Sequence, residues 1–310
     1  MRPQMRPLRG IALKLVSVLV FIVMSAVIKG TQGRVPAGEV VFFRSFFAIP
    51  VIIAWLIWRG ELRQGLKAQD PMGHVWRGFA GTVAMGMGFA GLTFLPFPEV
   101  TALGYAAPLL TVVFAAMFLG EEVRGFRISC VVLGMAGVMI VLAPRLSLTP
   151  GAAGTAEALG AMLVLGGAVF AALAQVFVRK LVLTETTSAI VFRFSVTATV
   201  LSLVTLPFGW VLPSAFDTAL LVGVGLLGGV GQIFLTASYR EADASLVAPF
   251  DYASMLFSLA IGYLVFAEVP SGTMLIGATL IITAGVLIIW RERQLGLERT
   301  RQRKAMTPQG

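Results

Sequence analysis

Apolar residues fill most of this chain in long runs, and short polar segments separate the runs. Crossing a bilayer as a helix takes about 20 apolar residues, and ten runs reach that length. They cover approximately residues 8–30, 37–58, 75–95, 98–119, 125–143, 157–180, 186–209, 216–239, 243–266 and 270–290. A membrane barrel would alternate apolar and polar residues, whereas Val100 to Leu119 runs without a charge. The pattern predicts an all-α polytopic membrane protein with ten transmembrane helices.

The second half of the chain repeats landmarks of the first. They recur about 148 residues later as the pairs Phe43-Arg44 and Phe192-Arg193, Tyr105 and Tyr252, and Glu121 and Glu268. Five spans per half place the second half in the opposite orientation, so we expect two inverted five-helix repeats, 1–147 and 148–290. Such repeats are typical of transporters whose site near the bilayer midplane opens alternately to either face.

Composition and charge support this reading. The chain is 57% hydrophobic and 13% charged, which requires lipid rather than water around it. Eighteen of the 24 Lys and Arg residues fall on the side of the termini, including Arg77, and three on the other side. This asymmetry predicts that both termini are cytoplasmic. Residues 291–310 form a basic cytoplasmic tail, predicted to be a frayed end that contacts lipid, and the net charge of +9 does not indicate nucleic acid.

Both halves carry one ordered set of features, which ends in a helix with small residues. The set comprises an arginine in the second helix (Arg44, Arg193), a proline in the fourth (Pro108, Pro249), a glutamate after it (Glu121, Glu268), and glycines in the fifth (Gly134, Gly137; Gly277, Gly285). Repeated over nearly the whole chain, it resembles the drug/metabolite transporter superfamily in its ten-helix EamA-type branch. The resemblance implies a bacterial inner-membrane protein that exports or exchanges small metabolites, most similar to exporters of aromatic and other neutral amino acids.

A cavity for a zwitterionic amino acid should offer hydroxyl groups, helix ends and aromatic rings. The candidates come from the centres of six spans: Met24, Ser25, Thr82, Met85, Tyr105, Gln175, Gln232, Tyr252 and Ser254, together with Asp251. Tyr105 and Tyr252 lead because the repeat places them at matching depth. Each could also be a packed ring whose hydroxyl group satisfies a carbonyl.

Charges within the membrane need a partner or a function. Arg44 and Arg193 either cap helix-end carbonyls or pair with a nearby carboxylate, which we favour, or act as gating residues. Asp251, where the first half has Gly104, lies near mid-depth. It either pairs with Arg193, which we favour, or carries a coupled proton. The charged residues available for gating salt bridges are Glu39, Glu99 and Lys29 on the outer side and Glu185, Asp243 and Asp251 on the inner side.

Prolines and glycines punctuate the predicted spans. Pro50, Pro108, Pro207 and Pro249 are predicted hinges that face the interior. Glycines cluster in span 3 (Gly81, Gly86, Gly88, Gly91) and span 8 (Gly223, Gly225, Gly228, Gly229, Gly231), where they favour close helix packing or widen a cavity. Glu121 and Glu268 are expected to cap the helix that follows each of them.

Few residues suit an enzyme, since the chain has one histidine, His74, and one cysteine, Cys130. No catalytic residue, metal or cofactor is predicted, and Cys130 is expected in the core. The sequence predicts a transporter of neutral or aromatic amino acids that works by alternating access at a central cavity. A passive facilitator or channel for other metabolites and a lipid or lipid-linked flippase remain alternatives. The partners are a small-molecule substrate and membrane lipid, and a monomer can suffice because one chain holds both repeats.

Overall fold

The computed structural model describes residues 7–31, 33–119, 125–146, 152–181, 184–241 and 248–306. Within these residues every regular element is a helix, which confirms the all-helical class. The helices are α1 (Pro7–Gly30), α2 (Ala37–Phe46), α3 (Ala48–Trp58), α4 (Leu62–Leu66), α5 (Pro71–Phe94), α6 (Phe97–Gly104), α7 (Ala106–Leu119), α8 (Gly125–Leu146), α9 (Ala152–Leu181), α10 (Thr187–Leu203), α11 (Ala215–Glu241), α12 (Ala253–Phe266) and α13 (Gly272–Met306). A 3-10 segment, Ala248–Tyr252, precedes α12.

Seven helical segments in the described residues are long and apolar enough to cross a membrane. They are Leu8–Gly30, Ala37–Trp58, Phe97–Phe118, Gly125–Pro144, Thr155–Val178, Ala215–Ser238 and Gly272–Arg291. Two predicted spans correspond to shorter apolar helices, Ser188–Leu203 and Phe250–Phe266. The predicted span 75–95 lies within α5, which carries buried polar groups. Crossing by ten helices therefore stays a prediction, whereas a membrane protein with several apolar helices is established.

Prolines interrupt three predicted spans, and in each case the helix ends four residues before the proline. A proline lacks an N–H and its ring clashes with the carbonyl group four residues earlier. Accordingly α2 ends at Phe46, four residues before Pro50, and α6 ends at Gly104, four before Pro108. Helix α10 ends at Leu203, four before Pro207, so Pro207 lies in a turn outside the helix.

The predicted interior orientation of these prolines is wrong. Pro50, Pro108 and Pro207 are all exposed on the outside of the molecule. Long helices bend with their convex side outward, and a ring on that side interrupts the helix without opening a gap in the core. Pro249 lies in the 3-10 segment before α12. The role of these residues as hinges stays a prediction.

The closest helix pairs pack through small residues. The most extensive helix contacts join α5 to α9, α1 to α11, and α8 to α13. A side chain at Gly91 of α5 would collide with α9. In the α1–α11 pair, Ser17 Oγ donates a hydrogen bond to the Gly231 carbonyl at 2.8 Å. A Cβ at Gly137 of α8 would lie 2.7 Å from the Gly277 carbonyl of α13. Without a hydrophobic force between helices in lipid, such close backbone approach provides the packing energy.

The basic C-terminal segment differs from its prediction. Helix α13 continues without interruption to Met306 and takes in most of the predicted tail. The segment from Arg291 is rich in Arg, Gln, Leu and Glu, which lose little side-chain freedom in a helix, and its first proline is Pro308. Most of the predicted tail is therefore helical, whereas its cytoplasmic location and its contact with lipid stay predictions.

Candidate functional site

The residues predicted to line one central cavity lie in different environments. Met24, Tyr105 and Tyr252 are buried in packed apolar clusters, whereas Gln175 is exposed on α9. The remaining candidates, Ser25, Thr82, Met85, Gln232 and Ser254, are partly buried. Thr82 lines a cavity in the described part of the chain, and Gly86 of the predicted glycine cluster lines the same cavity. The sequence identified interior positions, but not which of them border an open space.

Tyr105 and Tyr252, the two predicted symmetry mates, contact each other. Their ring centroids are 5.0 Å apart and the rings are tilted by 60°. The Tyr105 hydroxyl group lies 2.5 Å from Ser254 Oγ and donates a longer hydrogen bond, 3.4 Å, to the Tyr252 carbonyl. Both side chains belong to the largest apolar cluster, which also contains Cys130. This arrangement matches the packed-ring alternative, with the tyrosines joining the two halves.

A cavity of about 410 Å³ lies between α2, α5 and α10. Its volume falls in the range of roughly 300–1,000 Å³ that is usual for small-molecule sites. Apolar side chains form nearly all of its wall. The three hydroxyl groups at the cavity, those of Thr82, Ser202 and Thr205, donate to backbone carbonyls of their own segments. The other lining residues are Ala37, Gly38, Val41, Phe79, Val83, Gly86, Met87, Leu201 and Val204. Such a wall suits the apolar or aromatic part of a small organic molecule.

Arg44 lies in the interior of the molecule. Only 4% of its surface is exposed, and its Nε and Nη1 atoms have no hydrogen-bond partner among the described residues. Its guanidinium carbon is 5.7 Å from the centre of the Phe194 ring. A Cβ at Gly228 would lie 3.2 Å from Arg44 Nε and 3.4 Å from Met24 Sδ, so the absent side chain at Gly228 makes room for the arginine.

Arg77 contacts the same aromatic ring. Its guanidinium carbon lies 3.7 Å from the centre of Phe194, which is close cation–π geometry. Its Nε and Nη1 atoms are also buried without a partner in the described part of the chain. A side chain at Gly81 would collide with Arg77 and Phe194. The sequence had placed Arg77 among the loop charges of the cytoplasmic side; the structure places it within α5, which begins at Pro71, and its side of the membrane stays a prediction.

Arg193, the symmetry mate of Arg44, has different surroundings. Its Nη2 atom donates a hydrogen bond of 2.7 Å to the Leu66 carbonyl at the end of α4. The charged residues predicted on the outer side have other contacts. Glu39 accepts a hydrogen bond of 3.2 Å from the Val211 backbone N–H. Lys29 forms an ion pair with Glu268. The repeat places the two arginines at related positions, but the neighbouring helices give them different partners.

Asp251 pairs with Lys14 of α1 and not with Arg193. The Lys14 Nζ atom lies 2.7 Å from Asp251 Oδ1, and the lysine side chain is 2% exposed whereas the carboxylate is 51% exposed. The favoured Arg193 partner was therefore wrong, although a paired charge was expected. The carboxylate lies within reach of solvent and beside a buried ammonium group.

Four helix ends meet around Lys29 and Glu268. Lys29 Nζ donates to the Leu92 and Leu95 carbonyls at 3.3 and 2.7 Å and lies 3.0 Å from Glu268 Oε1. Glu268 Oε2 accepts a hydrogen bond of 2.7 Å from the Phe97 N–H at the start of α6. Glu268 therefore caps α6. The sequence had predicted that Glu268 would cap α13, the helix that follows it in the chain, and that prediction is wrong. Glu121 and Asp243 lie outside the described residues.

His74 and Glu185 meet outside the apolar spans. His74 Nε2 lies 3.3 Å from Glu185 Oε1, and both side chains are buried. Burial lowers the pKa of His74, opposed by Glu185. Burial would raise the pKa of Glu185, but backbone N–H donors of Asp70 and Gln69, together with His74, lower it. A neutral imidazole and a charged carboxylate follow, which suits a structural contact between the start of α5 and the segment before α10.

Sequence reasoning assigned no role to Lys14 or Arg77. Lys14 is a lone cation in the first apolar run, and Asp251 is a lone anion near the middle of the ninth, so their charges could have been matched. Arg77 is followed by Gly78 and Gly81 at helical spacing, a small-residue face that could have indicated room for a buried side chain. Both signals were present, but a linear sequence does not say which helices are neighbours.

Comparison with known proteins agrees with this architecture. The profile of the EamA-like transporter family matches residues 8–143 and 158–290. An S-adenosylmethionine uptake transporter of Rickettsia prowazekii is 30% identical over 93% of this chain and 94% of its own. A pseudopaline exporter of Pseudomonas aeruginosa is 29% identical over 90% of this chain and 95% of its own. A crystal structure with 21% identity covers 91% of this chain and 97% of its own with a TM-score of 0.65, which shows a shared fold.

Proposed function

The chain belongs to the EamA-like transporter family, and on that premise we propose that it moves a small organic metabolite across a bacterial inner membrane by alternating access. The proposal includes ten crossings, two inverted repeats and cytoplasmic termini. The family and its named relatives are transporters and not enzymes. One of these relatives is an uptake transporter and another an exporter, so the family alone does not give the direction of transport.

The observation that carries the mechanism is the pattern of helix packing. Numbering the predicted spans from one to ten, α1 with α11 joins spans 1 and 8, and α5 with α9 joins spans 3 and 6. Spans 1 and 3 of the first half correspond to spans 6 and 8 of the second half. The pair of spans 1 and 8 therefore corresponds to the pair of spans 6 and 3. The α8–α13 contact joins spans 5 and 10, which exchange with each other. The two family matches, 8–143 and 158–290, correspond to the same halves.

This correspondence between the helix contacts of the two halves supports an alternating-access mechanism. Two units of similar fold and opposite orientation have two equivalent arrangements, each open to one face of the membrane. The contact between Tyr105 and Tyr252 lies where the fourth spans of the two halves meet. In this mechanism the substrate site stays near that level while the helix pairs around it shift.

Neutral and aromatic amino acids are the first substrates to test. The cavity between α2, α5 and α10 has apolar walls, with a phenylalanine ring at Phe79 and three hydroxyl groups. The relatives named for S-adenosylmethionine and pseudopaline widen the panel, because these substrates differ from simple amino acids. A passive facilitator and a flippase remain the alternative functions.

The deciding experiment is uptake by purified protein in sealed liposomes. Labelled phenylalanine, leucine and S-adenosylmethionine are supplied without a gradient, with unlabelled neutral, aromatic and charged competitors. Saturable equilibration of one class is the expected result, and acceleration by unlabelled substrate on the opposite side distinguishes a carrier from a channel. Protein-free liposomes are the control. Absence of flux for the whole panel, with or without a proton gradient, would overturn the proposed substrate class.

Proton coupling through Asp251 is tested with the same liposomes. The Lys14 ammonium group 2.7 Å away favours the charged carboxylate, so we propose that Asp251 is a structural partner of α1. Replacing it in D251N should leave the ratio of uptake with and without a pH gradient unchanged, while lowering protein stability. A gradient response lost only in D251N would instead assign the coupled proton to this residue.

A further inference from the structure

Two buried arginines with unused donors are the least explained feature of this interior. Nε and Nη1 of both Arg44 and Arg77 are buried without a hydrogen-bond partner in the described residues. Burying a charged group without satisfying its donors is costly. Both guanidinium groups also lie against one ring, Phe194, so two like charges are held near each other. A bound anion would satisfy these donors and offset the two charges.

Arg44 and Arg77 do not line the cavity between α2, α5 and α10, but each lies within three positions of a lining residue on its own helix. Arg44 follows the lining residue Val41 by three positions on α2, and Arg77 precedes the lining residue Phe79 on α5. Phe194 lies seven positions before Leu201 on α10. In the predicted topology α2 runs inward and both α5 and α10 run outward. On all three helices, Arg44, Arg77 and Phe194 therefore lie closer to the predicted cytoplasmic side than the cavity-lining residues compared with them.

The chemistry of the site selects its ligand. A guanidinium group presents a planar fork of donors that matches a carboxylate through two parallel hydrogen bonds. Two such groups can neutralise one anion and satisfy their own free donors. The remaining cavity has almost entirely apolar walls. The site therefore suits a molecule with an anionic group at one end and an apolar or aromatic body.

We propose that Arg44 and Arg77 bind the carboxylate group of a small organic substrate whose apolar or aromatic body occupies the cavity between α2, α5 and α10. This inference rests on the proposed transport function and names the chemical class of its substrate. Glycines at positions 81 and 228 leave the space that the two side chains need. Arg44 is 96% buried, behind Met24 and α11, which favours a small solute over the headgroup of a surrounding lipid.

The test is a binding measurement that does not depend on transport. Thermal unfolding of the purified full chain in neutral detergent is followed during titration with 3-phenylpropionate and with its uncharged amide. We expect the carboxylate to stabilise the protein at concentrations about tenfold lower than the amide, because charge-assisted bonds replace neutral ones. Equal potency of acid and amide on the wild-type protein would overturn the proposal without any variant.

Variants then assign the effect to the two arginines. R44M and R77M should each bring the ratio between acid and amide close to one. R59Q is a matched control, because Arg59 also lies over an aromatic ring, Trp55, at 5.7 Å but outside this site; its ratio should not change. If a methionine variant does not fold, R44K and R77K retain charge without the planar fork and should reduce the ratio. A ratio retained in both lysine variants contradicts the proposal.

A phospholipid arm separates the two sources of an anion. Adding phosphatidylglycerol to lipid-depleted protein should leave the preference for 3-phenylpropionate intact, whereas its loss would assign the arginines to an anionic lipid and overturn the substrate site. The failures of the two proposals also differ. Carboxylate binding without flux in liposomes would refute transport but support the site. Flux of uncharged solutes with no carboxylate preference would support transport but refute the carboxylate site.

Discussion

Residues of the same type at related positions of the two halves have different roles. Arg44 has two buried donors, Nε and Nη1, without a partner in the described residues, whereas Arg193 donates through Nη2 to the Leu66 carbonyl and only its Nε is buried without a described partner. Tyr105 and Tyr252 share one contact, but Tyr252 additionally fills the space above Gly285. Repetition therefore predicts where a residue lies in its helix, while the neighbours determine what it does.

Gly285 gives the clearest prediction at the residue scale. A Cβ at this position would coincide with the Tyr252 hydroxyl group, so G285A should displace the ring and destabilise the protein by about 1–3 kcal/mol. G88A is the matched control, because a Cβ at Gly88 meets nothing within 4 Å and alanine favours a helix by up to about 1 kcal/mol. Thermal unfolding in detergent compares them. Equal midpoints for G285A and G88A would show that Tyr252 is not confined as described.

At the scale of elements, polar contacts at helix ends tie the two halves together. Helix α12 ends at Phe266, and the next residue, Ala267, has a left-handed conformation with φ at 53°; this turn brings Glu268 to the start of α6. Lys29 at the end of α1 uses its ammonium donors on two carbonyl groups of the α5–α6 junction and on Glu268. One lysine and one glutamate thus join the ends of four helices.

E268Q tests this junction. The amide retains an oxygen for the Phe97 N–H but loses the charge beside Lys29, and we expect a loss of about 1–3 kcal/mol because the pair is largely buried. E61Q removes one partner of the more exposed Arg59–Glu61 pair and should cost less than about 1 kcal/mol. Unfolding midpoints of the two variants give the comparison. A smaller effect for E268Q than for E61Q contradicts the joint role of Glu268.

The His74–Glu185 contact predicts how stability depends on pH. The folded chain holds the pKa of His74 below 6.5 and that of Glu185 below 4.5. The unfolded chain therefore binds more protons in both ranges, and stability falls as the pH drops below 6.5 and again below 4.5. Arg193 opposes protonation of His74, whereas Glu185 and Asp70 favour it, and burial outweighs them.

H74Q should remove the first of these losses and leave the second. Unfolding midpoints measured from about pH 7 to pH 4 in H74Q and wild type test this. E185Q is the companion variant, because it should remove the loss below pH 4.5. An H74Q profile that still falls between about pH 6.5 and pH 5 would place the responsible group elsewhere.

At the scale of the whole molecule, the packing of the helices is consistent with the proposed duplication. Helix pairs α1–α11 and α5–α9 exchange under the correspondence of the halves, and α8–α13 corresponds to itself. The charge asymmetry of the loops then orients the whole assembly. Orientation is thus the global property that the proposed mechanism needs and that labelling can measure.

Cysteine labelling tests that orientation. Cys130 is the chain's one cysteine and is buried, so C130A provides a background for single cysteines. L212C, at a fully exposed residue between α10 and α11, should react with a membrane-impermeant maleimide added to intact cells. R63C, on exposed α4, should react only after the inner membrane is opened. The reverse labelling pattern would place the termini outside the cell.

The sequence by itself determined the all-helical membrane class and the family, because these depend on local properties. Long apolar runs predict membrane helices, and a repeated set of landmarks identifies the EamA-type branch. The helix bounds were determined only in part, because prolines divide or shorten three predicted spans. Pairing across the bundle was decided only by tertiary structure: Lys14 with Asp251, Lys29 with Glu268, and Arg44 with Arg77 around Phe194. Partners in these contacts come from helices far apart in the chain. Their choice depends on which helix faces approach each other, and periodicity along a single helix does not contain that information.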